Sequence, residues 1–172
     1  PYNLRNCVYM DDFSKQKIAY AETMRVHKGP SGFSRFPRFS FIESDYFQDK
    51  TCFMITGTNL VYILSIMNSK LMNYFIHKNI AVLDTGGFLL QKIYVELFPI
   101  PFVPKETQRK LESLARDTIE CTRLSKDSSK YENEIDEIVF DIFGINTAEI
   151  DYIQSVISAH PRIKEASSSL SV

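Results

Sequence analysis

"YILSIMNSKLMNYF", Tyr62–Phe75, is the stretch that decides the fold. Apolar residues recur at helical spacing on either side of Asn68-Ser69-Lys70. Asn and Ser side chains compete with the helix for backbone hydrogen bonds, so two of them in the middle of a buried run read as a break or sharp kink. The spacing predicts one helix in "NLVYILSIM", with Thr58 as N-cap and Leu60, Ile63, Leu64 and Met67 as its apolar stripe. A second helix, "KLMNYFIHKN", would be capped by Ser69 and turn Leu71, Met72, Phe75 and Ile76 inward. A continuous helix that tolerates Asn-Ser is the alternative.

Upstream, residues 1–57 read as strands and turns. "CVYM" and "KIAYAETM" are short and rich in β-formers, and "TCFMIT" reads as a buried strand bounded by "TGTN". "KGPSGF" is a loop, and Pro37 confines "RFPRFSFIE" to an edge or a loop. Downstream, Asp84-Thr85-Gly86-Gly87 is a turn, "FLLQKIYVEL" fits a strand or a short helix, and "PIPFVP" is an extended strap. After Pro104 the pattern becomes helical. The first helix carries Leu111, Leu114, Ala115, Thr118 and Ile119 on one side; the second carries Tyr131, Ile135, Ile138, Val139 and Ile142 and stops at Gly144. A third has Ile150, Ile153 and Ile157 as its stripe, with Asn146 and Glu149 at capping-box spacing. The expectation is an α+β chain: a β-rich recognition domain with a pair of short packed helices over 1–104, a helical segment over 105–160, and a disordered tail over 161–172.

The chain has 172 residues, 44% hydrophobic and 24% charged, enough for a core. No apolar run has the ~18–20 residues of a membrane span, and no basic-then-apolar leader is present. Three separated cysteines, Cys7, Cys52 and Cys121, argue against a disulfide framework or zinc site, and a cytoplasmic location is the default. Pro1 as first residue suggests a piece of something longer.

A net charge of −1 conceals a split. Residues 1–110 hold 14 Lys/Arg against 9 Asp/Glu, net +5; residues 111–172 hold 6 against 12, net −6. The densest positive window is 15–38, with Lys15, Lys17, Arg25, Lys28, Arg35 and Arg38 against Glu22. Phe33, Phe36 and Phe39 interleave with these cations. Such a window suits a polyanion, because Lys neutralises phosphates and Arg can bind guanine O6 and N7. Solvated surface is the plain alternative for the arginines, and core packing for the phenylalanines. No dinucleotide, P-loop, metalloprotease or nucleophile-elbow motif occurs. Asp11-Asp12 and Glu43/Asp45 lack the partners of a nuclease site and read as surface.

Taken in order, "KIAYAE", "RFPRFSFIESDYF", "CFMITG", "LVYILSIMNSKLMNYFI", the Gly turn, "LFPIP" and "EIDEIVFDIFGINTAEIDYI" resemble one family. It is the TaqI-like C-terminal specificity domain, the target-recognition module of single-chain restriction-modification enzymes, akin to Type I specificity subunits. The resemblance covers about residues 17–159. It implies sequence-specific recognition of double-stranded DNA, with no catalysis by this segment. The parent would be an adenine-specific DNA methyltransferase, and an endonuclease is a further candidate activity. Its methyltransferase domain would lie in the same polypeptide and use S-adenosylmethionine, with magnesium as a further candidate cofactor. Lys15, Lys17, Arg25, Lys28, Arg35, Arg38 and Lys92 are then the expected DNA-binding residues, and Asn68 and Ser69 are scaffold. The family often has more glycines before its strap than Gly86 and Gly87, so that loop's contacts do not carry over. A protein-docking module without DNA contact, carried by the acidic helices, is the alternative.

Overall fold

A computed structural model of the chain describes residues 10–24, 27, 28, 34, 35, 38–44, 46, 47, 51–83 and 87–159. A 3-10 helix, Met10–Ser14, leads into β1, Lys17–Ala21. Met10 therefore opens a helical turn, where "CVYM" predicts a strand; Cys7–Tyr9 lie outside the described residues. Glu22 separates β1 from β2, Thr23–Met24. The ribbon strands β3, His27–Lys28, and β4, Ser34–Arg35, come next, followed by β5, Ser40–Ile42, and β6, Cys52–Thr56. β1 is the centre of an antiparallel sheet in the order β5-β1-β6, with Ile18 facing Phe41 on one side and Ile55 on the other. Among the described residues β6 is thus an edge strand, half-buried along its length where a buried strand is expected. β3 pairs with β4, placing His27 opposite Arg35 and Lys28 opposite Ser34.

The Asn-Ser break is real. α1 spans Leu60–Met67 and α2 spans Lys70–Asn79. Ser69 caps α2: its Oγ accepts the Met72 N–H at 3.2 Å and donates to the Ile66 carbonyl at 2.7 Å. Asn68 spans to the sheet side. Its Oδ1 accepts the Phe39 N–H at 2.8 Å and its Nδ2 donates to the Phe39 carbonyl at 2.9 Å, as a neighbouring strand would. Capping α1 falls to Asn59 rather than Thr58. Asn59 sits in the left-handed region at φ 56°, which Asn tolerates, and makes no side-chain cap bond. The stripe predicted for α1 is too narrow: Val61, Tyr62, Ser65 and Ile66 are buried along with Leu60, Leu64 and Met67. α1 is packed on most of its circumference.

"FLLQKIYVEL" resolves into both options, β7 at Phe88–Leu89, paired with β2, and α3 at Lys92–Val95. The strap that follows is held to α1 by the Tyr62 hydroxyl, which donates to the Pro101 carbonyl at 2.6 Å. Then come α4, Lys105–Arg123, α5, Ser129–Ile142, and α6, Thr147–Ser158. Gly144, at φ +65°, ends α5 in a full Schellman motif: Gly144 N–H bonds the Asp141 carbonyl and Ile145 N–H the Phe140 carbonyl. The Asn146–Glu149 capping box forms in both directions. α4 packs on α1, and α6 on α2. Leu111, Leu114, Ile135 and Val139 join Ile18, Phe39, Ile66 and Phe88 in one core, so packing continues across Pro104 although the secondary structure changes there. Residues 161–172 lie outside the described residues.

Candidate nucleic-acid interface

The seven expected cations fall into distinct positions. Lys15 is exposed and pairs with Asp12 at 2.7 Å, a hydrogen bond that raises its ammonium above the ordinary 10.5. Lys17, expected to face DNA, is fully buried instead. Its Nζ donates to the Phe13 carbonyl at 2.6 Å and the Lys15 carbonyl at 2.9 Å, which ties the 3-10 turn to β1. Lys17 shares a face of β1 with the half-buried Ala19 and Ala21, opposite the core residues Ile18 and Tyr20, and its ammonium is held internally, so it leaves the set of available cations. Lys28 and Arg35 lie on the β3–β4 ribbon. Arg25, the expected loop "KGPSGF" beyond Lys28, and Phe36 lie outside the described residues. Lys92 opens α3, exposed and 3.3 Å from Glu96.

Arg38 stands at the edge of the described recognition segment. Its neighbour Phe39 is buried, packed edge-on to Phe98 and tilted against Tyr20, so core packing is this phenylalanine's role. With Phe39 clamped by Asn68 and sunk in the core, the backbone beside Arg38 is fixed. The guanidinium meets Glu132 of α5 at 3.3 Å, and Ser128 Oγ donates to the same carboxylate oxygen at 2.5 Å. One turn further along α5, Asp136 meets the start of α2. It accepts the Lys70 N–H at 2.7 Å and pairs with Lys70 Nζ at 3.0 Å. Lys70 Nζ also donates to Asn133 Oδ1 at 3.2 Å. Burial raises the Asp136 carboxyl above its ordinary 3.8, against the lowering pull of its bonds to Lys70.

These pairs border a groove of about 580 Å³ between the β5 side and helices α4 and α5, with Ser40, Asn68, Asn73 and Thr118 on its walls. Chemically the region can bind and orient charge. Among the described residues no group of three or more His, Cys, Asp or Glu side chains is gathered as a metal site would be. Lys70, Glu132 and Asp136 are the charged residues that sequence reasoning misses. One signal was present: Asp136 falls inside the apolar stripe between Ile135 and Val139, where a carboxylate needs a partner. Neither a protein-family model nor a curated protein matches the chain, so the resemblance stands on the residues quoted for it.

Proposed function

We propose that this chain recognises double-stranded DNA and directs an adenine-specific methyltransferase domain of the same polypeptide to its target. The observation that carries this reading is the β3–β4 ribbon. A two-stranded antiparallel ribbon fits the major groove of B-DNA, and this one carries Lys28 and Arg35 within the densest positive window of the sequence. Lys28, Arg35 and Arg38 are the leading contacts, with Lys15, Arg25 and Lys92 in support. The acidic surface of α5 and α6 is unsuited to phosphate, and in this reading only the edge of α5 at Glu132, beside Arg38, borders the DNA. The segment itself is not a catalyst: S-adenosylmethionine, and magnesium if the parent also cleaves, belong to other domains. A cytoplasmic location follows from that role; among the described residues no helix is long and apolar enough to cross a membrane.

Docking on protein is a second reading, favoured by the exposure of Ile93, Leu97 and Phe102 around the strap. Retention on immobilised duplex DNA at low salt, lost steeply as salt rises, is expected only for the first reading. The chain should also give no heat with S-adenosylmethionine in calorimetry, and detectable binding would count against the assignment.

A further inference from the structure

α5 presents two carboxylates one turn apart, and each meets a cation from the other side of the groove. Their surroundings differ. Asp136 is 9% exposed and holds both the backbone and the ammonium of Lys70, as an anchor does. Glu132 is 27% exposed and its partner Arg38 is 43% exposed, with a contact of 3.3 Å. A solvated pair of this kind contributes little to the fold and exchanges readily. Glu132 also lies in the first turn of α5 and accepts a hydrogen bond from Ser128 Oγ, so the carboxylate keeps one partner when the guanidinium leaves.

We propose that Glu132 is a positioning residue that gates Arg38: its carboxylate holds the guanidinium in the free protein and yields it to a DNA phosphate on binding. This rests on the DNA-recognition reading. The exchange needs no backbone movement, because Asn68 and the buried Phe39 already fix the chain beside Arg38. A phosphate offers the guanidinium two parallel hydrogen bonds. The Glu132 carboxylate is then released to water and repelled by the DNA. Arg38 is thereby kept from binding anions indiscriminately, and its release couples DNA contact to the helical segment.

The test uses the whole chain and a fluorescent duplex of random sequence, with binding read by anisotropy across a salt series. Glu132→Gln keeps the shape and can still accept from Ser128. Glu137→Gln, on an exposed position of the same helix, makes the same charge change away from Arg38. Glu132→Gln should bind roughly two- to five-fold tighter than Glu137→Gln, the range of one weak competing pair. In an Arg38→Ala background that gain should vanish. Equal affinity of the two glutamine variants, or a gain that survives Arg38→Ala, overturns the gate while leaving DNA recognition standing. No binding by the wild-type chain even at the lowest salt overturns both. Should Glu132→Gln fail to fold, Glu132→Asp withdraws the carboxylate by one methylene, with the same expected sign and the same overturning result.

Discussion

Replacing Asp136 with Ala removes the acceptor that joins α5 to the start of α2. The Lys70 N–H loses a charge-assisted hydrogen bond of 2.7 Å, a contact worth about 1.5–3 kcal/mol. The ion pair at 3.0 Å adds less than its burial suggests, because the Lys70 side chain is 40% exposed and its ammonium can rehydrate. Breaking a fully buried pair costs about 3–5 kcal/mol, and this site falls below that range. The upward shift of the Asp136 carboxyl has the same sense: desolvation outweighs what Lys70 returns. A loss of about 2–3 kcal/mol is expected, or roughly 5–10 °C in Tm for a chain of this size. Asp136→Asn keeps an oxygen for the Lys70 N–H and should lose only about 1 kcal/mol. Acid extends the test. The folded carboxyl holds its proton above the ordinary 3.8, so its titration favours the folded state below that value. That contribution is lost as pH rises through the folded value. The margin of wild type over Asp136→Asn should therefore widen as pH falls through this window. Thermal melting by circular dichroism reads both effects. An Asp136→Ala chain that melts with wild type, or a margin that narrows in acid, would refute the reasoning.

Asn68→Ala with Ser69→Ala removes the clamp on Phe39 and the cap on α2, and should lower stability by about 2 kcal/mol in chemical denaturation. Retained stability would mean that neither bond holds the break. Leu111→Ala, fully buried where α4 meets α1, should cost about 2–4 kcal/mol in a single cooperative transition. An early melt of the helical segment alone would show that the core does not act as one. Burial pushes the Tyr20 hydroxyl up to about 12 and raises that of Tyr62, which also donates to Pro101. In an alkaline ultraviolet titration these two should ionise after the exposed tyrosines. Folded-state stability should fall as pH rises through their values; Tyr62→Phe should remove part of that loss while weakening the strap by about 1 kcal/mol.

The helices were legible because their signals are local. Asn68 and Ser69 interrupt a 3.6-residue pattern, and Asn146 with Glu149, or Gly144 after an apolar stripe, marks an end within a few residues. The misreadings arose where the decision is tertiary. Among the described residues β6 is an edge strand because β1 alone pairs with it, and five apolar or polar letters cannot say which strand is central. α1 shows a narrow stripe, yet α4 covers the flank that would otherwise face water. Lys17 looked like every other lysine of its window. Its burial depends on two carbonyls of the preceding turn, which fold back over β1 and hold its ammonium on the face opposite Ile18 and Tyr20. Glu132 and Asp136 looked like part of an acidic, solvated helix. Their partners, Arg38 and Lys70, lie 94 and 66 residues away in sequence. Local periodicity carries no information at that range.

That residues 25–38 face DNA is tested most directly by the salt dependence of duplex binding for the whole chain, wild type against Arg35→Ala and Arg38→Ala. Each phosphate contact contributes about 0.9 to the slope of log affinity against log salt. Each substitution should therefore weaken binding to all duplexes and flatten the slope by roughly one unit if the arginine meets phosphate. An arginine that reads a base edge should instead cost about 1–3 kcal/mol on the target sequence and relax preference at that base pair. If both variants keep wild-type affinity, slope and base preference, the segment is ordinary surface, and any recognition face lies elsewhere, around residues 84–94.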